Sequence, residues 1–299
     1  MNNGLLELPI SWQKASELSD YNYFIMSSQW DYFLNNIGTW QGSFTHLDAK
    51  GIELKDTPTI VTFEATHNNQ TVHQIVNYLP QDQPASKVEV DYAPTSLSRD
   101  LIFFPNGSFC RGNTQWNGYS NFVSEFGLIA GDRRLRTVNI YNNSINLNRI
   151  VLIREKLPDS NTPERPQLTV EDLLGEWQGE AMTIFPDSSE PKISKTHLKI
   201  KQKDQNHIEQ QLSFGNRKIT STAKLLGSRL LFENSNLSVQ ILLLPDGCSC
   251  NCPLEIKSGH GFVLELGWLL QPNKRQRIMR NFDQHGTWIN STFVTEMKI

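Results

Sequence analysis

Two pairs of arginines carry the clearest chemical signal in the chain. Arg134 and Arg136 are separated by one residue, and Arg275 and Arg277 repeat that spacing. Side chains alternate between the two faces of a β-strand, so the members of each pair share a face. Arginine binds carboxylate or phosphate through two parallel hydrogen bonds, and two guanidiniums facing inward would form an anion clamp. We therefore predict that these four residues bind a ligand.

Burying such a pair costs free energy unless a negative charge compensates it. The compensation could come from a bound acid or from a carboxylate such as Glu125 or Glu265. Two other arrangements stay open at this stage. The pair could face solvent, or one arginine could cover a tryptophan by cation–π packing. Because the pair recurs in both copies, the pattern favours a shared structural role over ligand binding.

The cysteines form the most unusual string, Cys248-Ser-Cys250-Asn-Cys252. On a strand all three sulfurs would lie on one face, whereas structural zinc sites use ligands two to four residues apart. Packing as small hydrophobic residues is therefore favoured over a metal site or a reactive thiol. The seven histidines show no metal-binding spacing, and the sequence has no nucleophile-elbow or phosphate-loop motif. We predict no catalytic residue and no metal site.

Aromatic residues divide into two groups. Trp40 and Trp177 occupy matching positions in the two halves of the chain, and we predict that each closes one end of a barrel. Tyr141 and Trp268 have no identical counterpart. Such differences are typical of distinct pockets, and also of surface strands. We add Tyr141, Trp268 and Glu265 to the predicted ligand-binding residues.

An internal repeat determines the elements that must position these side chains. Gly-Thr-Trp-Gln-Gly at 38–42 recurs as Gly-Glu-Trp-Gln-Gly at 175–179, and Pro-Asn-Gly at 105–107 recurs as Pro-Asp-Gly at 245–247. Further matches in the same order include the two Arg-x-Arg strings. A length of 299 residues also suits two domains of ~150 residues. We predict an N-terminal extension (1–27), a first barrel (28–156), a proline-rich linker (157–167) and a second barrel (168–299).

Each copy is predicted to open with a short helix. Ser28 is the expected cap of the first, and Thr169 with Asp172 forms a capping box for the second. The rest reads as short strands joined by turns, such as the segments on either side of Asn68-Asn69. No crossover helices interrupt them. The sequence therefore predicts an all-β protein of two tandem antiparallel up-and-down barrels, each of ~8 strands with room for one small ligand.

A family resemblance supports this fold. The short helix leading into Gly-x-Trp, with Arg-x-Arg near the end of each copy, resembles lipocalins and other calycins. The segment from Glu265 to Arg277, followed by Phe293-Val-Thr-Glu296-Met-Lys298, resembles the S-type phycobilin lyases of cyanobacteria, which carry an open-chain tetrapyrrole. The two-copy layout resembles a tandem lipocalin-like family of unknown function from cyanobacteria and plants. The lyases carry an arginine shortly after the first-strand tryptophan that this chain lacks, so the resemblance implies the barrel more than the lyase activity.

Composition limits the function further. The net charge is −3 and no basic stripe is present, which argues against nucleic-acid partners. Without a signal peptide or an apolar run of membrane-span length, we expect a cytoplasmic protein. The predicted function is binding of a small apolar or amphipathic ligand, such as a pigment, isoprenoid or fatty acid. No cofactor is implied beyond a bound tetrapyrrole or lipid. The alternative is an enzyme acting on such a ligand, either a lyase with a phycobiliprotein partner or an isoprenoid cyclase or isomerase.

Overall fold

The computed structural model describes residues 29–142, 145–214, 217–233 and 237–299, and antiparallel strands make up most of them. The predicted all-β class with two tandem sheets is confirmed. The predicted extension (1–27) and the predicted helix cap Ser28 lie outside the described residues. Residues 157–169 join the copies without a helix or strand.

The first copy begins with helical residues 29–34 (α1) and continues as one antiparallel sheet. Within its described part the sheet has nine strands, in the order β4-β3-β2-β1-β9-β8-β7-β6-β5, and a 3₁₀ turn at Pro94–Ser96 follows β4. The strands are β1 Gly38–Asp48, β2 Glu53–Thr66, β3 Thr71–Tyr78, β4 Ser86–Tyr92, β5 Ile102–Phe103, β6 Phe109–Gly112, β7 Phe122–Ala130, β8 Arg133–Tyr141 and β9 Arg149–Lys156.

The second copy begins with the one-turn helix α2 (Val170–Leu173). As predicted, Thr169 and Asp172 form its capping box. Ten strands in the described residues then form a closed barrel in sequence order. They are β10 Gly175–Ile184, β11 Lys192–Asp204, β12 His207–Phe214, β13 Arg217–Leu225, β14 Arg229–Phe232, β15 Val239–Leu244, β16 Cys248–Pro253, β17 Phe262–Gln271, β18 Lys274–Phe282 and β19 Trp288–Lys298.

The two sheets differ in closure and in strand number from the predicted barrels of ~8 strands. In the second copy, β13 pairs with β14 through two residue pairs, which complete the ring. In the first copy, β4 and β5 are the two ends of the strand order, so the sheet curls without closing. The additional strands include the two-residue β5 and the four-residue β14, which are too short to show a period in the sequence.

The Gly-x-Trp-x-Gly motif marks a close approach of the first and last strands of each copy. A Cβ atom on Gly42 would lie 1.9 Å from the carbonyl oxygen of Arg154 on β9. A Cβ atom on Gly179 would lie 2.6 Å from the carbonyl oxygen of Thr295 on β19. Neither distance is compatible with a side chain, so glycine at these positions allows the sheet to curl back on itself.

The copies pack against each other through the outer faces of their C-terminal strands. One apolar cluster includes Phe122 and Tyr141 of the first copy and Phe262 and Phe282 of the second. The rings of Phe262 and Phe282 stack at 4.6 Å, and Phe122 meets Phe282 edge to face at 5.3 Å. The described helices include none long and apolar enough to cross a membrane.

Candidate functional site

The inside of the first sheet encloses a cavity of about 360 Å³. Residues of every second position on the curled strands face it, as the strand period requires. Most of its wall is aromatic or aliphatic, and its polar lining is concentrated on β6, β7 and β8. The aromatic members are Phe33, Phe44, Phe63, Tyr78, Tyr92, Phe103 and Phe109, and the charged ones are Arg111, Glu125, Arg134 and Arg136.

The cavity has its mouth at the unpaired edge of the sheet. Val88 and Val90 lie on β4, which is an end strand, and both line the cavity. Their exposed fractions are 50% and 40%, although they sit on the concave face with Val61 and Val76. Because these lining side chains are exposed, the cavity opens to solvent beside β4.

Five charged groups form a continuous chain along the polar side of this cavity. Arg134 Nε donates to Glu155 Oε2 at 2.7 Å. Arg136 binds the same carboxylate through two hydrogen bonds, at 3.0 and 2.8 Å. Its Nη1 also donates to Glu125 Oε1 at 2.8 Å, and Glu125 Oε2 lies 2.8 Å from Arg111 Nε. The arginine pair therefore faces inward, and carboxylates of the protein itself neutralise most of its charge.

Arg134 also covers the tryptophan that closes the barrel. Its guanidinium carbon lies 4.6 Å from the centre of the Trp40 ring, and the Trp40 indole donates to the Asn36 carbonyl at 2.9 Å. Burial lowers the pKa of Arg134, and the Glu155 carboxylate offsets part of that effect. Burial alone would raise the pKa of Glu155, but the two guanidiniums outweigh burial and hold it below the ordinary value. The group is thus an ion pair in the folded protein.

The second barrel repeats this arrangement. Arg275 lies 4.7 Å from the Trp177 ring centre, and the Trp177 indole donates to the Leu173 carbonyl at 2.9 Å. Arg275 Nη2 lies 2.9 Å from Glu296 Oε1, while Arg277 binds both oxygens of Glu265 at 2.7 Å. The recurrence of carboxylate, guanidinium and indole in both copies identifies this unit as part of the barrel framework.

The copies differ at the outermost position of the ion-pair network. Arg111 stands opposite Glu125 in the β6–β7 ladder, and Asn251 stands opposite Glu265 in the β16–β17 ladder. The first barrel therefore has three guanidiniums and two carboxylates in contact, whereas the second has two of each. Arg111 keeps 50% of its side chain exposed.

The other predicted ligand-binding residues lie between the copies. Tyr141 is fully buried, and its hydroxyl donates to the Pro253 carbonyl at 2.7 Å. Trp268 donates to the Asp246 carbonyl at 2.9 Å and lines a cleft of about 500 Å³ beside the linker. The structure thus places neither residue in a barrel interior. The clusters in the barrels bring together Arg134 with Arg136, and Glu265 with Arg275 and Arg277.

The cysteines are part of the packing between the copies. Cys110, Cys248, Cys250 and Cys252 are all fully buried and reduced, and all belong to the apolar cluster shared by the two sheets. Burial raises the pKa of Cys110 and Cys248. No cluster of His, Cys, Asp and Glu suited to a metal ion occurs in the described part of the chain.

Sequence reasoning did not identify Glu155, Glu296 or Arg111. The two glutamates lie directly opposite Arg134 and Arg275 on the last strand of each sheet. Their spacing of 141 residues matches that of the arginine pairs, so the repeat carried a signal for them. Arg111 could have been found as the position where the copies differ in charge, since the offset of 140 aligns it with Asn251.

Comparison with known proteins yields two family matches. Residues 26–160 match the N-terminal domain of unknown function DUF3598, and residues 164–299 match the C-terminal domain of "Biogenesis factor required for ATP synthase 1". No curated protein matches the chain significantly.

Two solved structures are also similar to the chain. A protein of unknown function from the DUF3598 family of Nostoc punctiforme is 40% identical, with a TM-score of 0.85 over 91% of this chain and 99% of its own. An S-type phycobiliprotein lyase from Guillardia theta is 13% identical, with a TM-score of 0.31 over 44% of this chain and 90% of its own. The predicted resemblance to a family of unknown function with a two-copy layout is confirmed.

Proposed function

The chain belongs to the DUF3598 family, and we propose that it binds a small apolar or amphipathic ligand inside the first barrel. A pigment, an isoprenoid or a fatty acid has the required chemistry. The observation that carries this proposal is the aromatic cavity of about 360 Å³ that is reached from the unpaired edge of β4.

The size and lining of the cavity support this assignment. Small-molecule sites commonly enclose about 300–1,000 Å³, are mostly apolar and place a few polar groups that orient the ligand. Rings such as Phe44 and Tyr78 meet edge to face at 5.5 Å, which gives a firm apolar wall. The polar groups are confined to one side, where Arg136 lies 5.2 Å from the Phe44 ring centre.

Carriage fits the cavity better than turnover does. The carboxylates of Glu125 and Glu155 each bind two guanidiniums, so neither is positioned as a free acid or base. Arg136 binds both of these carboxylates, and Arg134 binds that of Glu155. A general acid or base needs a group that can exchange its proton near neutral pH, and these ion pairs oppose that exchange.

Fluorescence titration with the neutral dye N-phenyl-naphthylamine tests the proposal. The dye should bind the wild type with a rise in fluorescence. Val90→Trp, which fills the mouth, should abolish the rise. Ser221→Trp is the matched control, because Ser221 occupies the equivalent ladder position of the second barrel.

Loss of dye binding in both tryptophan variants, or no binding by the wild type, would contradict a site in the first barrel. Organic extraction of protein purified from a native-like host, followed by absorbance and mass spectrometry, would identify the natural occupant. A barrel that yields no small molecule and binds no dye would leave the proposal without support.

A second candidate function rests on the family match of residues 164–299. The matching family is described as a biogenesis factor for ATP synthase, which favours a role in which the second copy contacts a protein partner during assembly. The test is size-exclusion chromatography of the full chain mixed with purified subunits of ATP synthase. Co-elution that persists in Val90→Trp would support this role independently of the ligand, and separate elution would rule it out.

A further inference from the structure

We propose that the ligand of the first barrel carries a single acidic group and that Arg111 binds it. This inference rests on the proposed function, because it names the class of molecule that the same cavity selects. The observation that carries it is the excess of one guanidinium over carboxylates in the first barrel.

The guanidinium that the first barrel has and the second lacks is that of Arg111. Arg134 and Arg136 share the buried Glu155 carboxylate, and Arg136 also binds Glu125. Arg111 is the last member of this ion-pair network, and its Nε lies 2.8 Å from Glu125 Oε2. The two inner guanidiniums and the two carboxylates therefore neutralise one another. Arg111 lines the cavity, and the carboxylate that it contacts, Glu125, is also bound by Arg136.

Arg111 stands where an incoming ligand would pass. It lines the cavity and also an adjoining outer groove that contains Arg99 and Asp100. Half of its side chain is exposed, so it can turn toward a ligand without breaking the buried ion pairs. A ligand whose apolar body fills the aromatic lumen would leave its polar end at this guanidinium.

The second barrel shows that the ion pairs around the closing tryptophan form without a third guanidinium. Its ion pairs repeat those of the first barrel, but Asn251 occupies the position of Arg111, and two guanidiniums pair with two carboxylates. The barrel thus folds without a third guanidinium. One excess charge matches a monoanion, so the geometry favours a monocarboxylic acid with an apolar body over a doubly charged phosphate monoester.

The experiment compares dodecanoic acid with dodecanol as displacers of bound N-phenyl-naphthylamine. A charge-assisted hydrogen bond contributes about 1.5–3 kcal/mol, so the wild type should prefer the acid by roughly ten- to a hundredfold. Arg111→Gln should reduce that preference to about one. Arg99→Gln, an exposed arginine of the outer groove, is the matched control and should keep the preference.

The outcomes separate this inference from the proposed function. If acid and alcohol displace the dye equally well from the wild type, the acid assignment is wrong while apolar binding stands. If Arg99→Gln lowers the preference as much as Arg111→Gln, general surface charge explains the effect and the role of Arg111 is wrong. If the dye does not bind at all, the proposed function itself fails.

Discussion

The carboxylate of Glu155 is the group whose loss should destabilise the first barrel most. It is buried and accepts hydrogen bonds from Arg134 Nε at 2.7 Å and from Arg136 Nε and Nη2 at 3.0 and 2.8 Å. In Glu155→Gln, the new amide NH₂ would face guanidinium donors. Arg134, itself buried, would have no carboxylate within ion-pair distance among the described residues. Removing one partner of a buried pair costs about 3–5 kcal/mol, and we expect that loss in the free energy of unfolding.

Glu125→Gln is the matched comparison, because it removes a carboxylate from the same chain at a less buried position. Arg136 would keep both hydrogen bonds to Glu155, and Arg111 is half exposed and can be hydrated. The expected cost is about 1–2 kcal/mol.

Urea unfolding measures both values, provided that the variants share the m-value of the wild type. An equal loss in the two variants would refute the reasoning, because it would mean that burial does not set the cost. A loss below about 1 kcal/mol in Glu155→Gln would refute it as well, since buried guanidiniums would then tolerate the missing carboxylate.

Three further predictions follow from the framework. The pKa of Glu155 is lowered in the folded state from an ordinary 4.5. Its contribution to the free energy of unfolding is therefore complete above pH 4.5 and is lost as the pH falls below that value. Glu155→Gln should accordingly flatten the acid limb of a plot of stability against pH. Gly42→Ala should lower the melting temperature more than Gly179→Ala, because its Cβ would lie closer to the facing carbonyl, and equal shifts would contradict this. Ellman's reagent should leave all four cysteines unmodified in the native protein and titrate four after unfolding, whereas rapid native labelling would show an accessible thiol.

The fold was largely predictable because the sequence contains the same pattern twice. Two copies of Gly-x-Trp-x-Gly and of Pro-x-Gly at nearly constant offsets indicate one architecture, and the alternation of Arg134 and Arg136 places both on one strand face. Whether the first sheet closes into a barrel was not predictable. It depends on whether β4 meets β5, and a two-residue strand has no period that a sequence pattern can reveal.

The candidate site was predictable in part. Arg134 and Arg136 were identified from their spacing, but their main partner, Glu155, becomes adjacent only through the β8–β9 register. Tyr141 and Trp268 were assigned to pockets because they differ between the copies. The docking of the two sheets buries their faces against each other instead, and no local pattern encodes which outer face a second domain covers.

The duplication gives each barrel an internal reference, and the first barrel differs from the second in two features that a ligand site needs. One is access, since the outer edge of β4 is unpaired in the described first sheet and the second sheet is closed. The other is charge, since Arg111 occupies the position of Asn251. Neither feature is required for the barrel framework, because the second copy folds around the same guanidinium, carboxylate and indole without them. Asn251→Arg alone should therefore not create acid binding in the second barrel, because the described second sheet has no unpaired strand edge beside the new guanidinium.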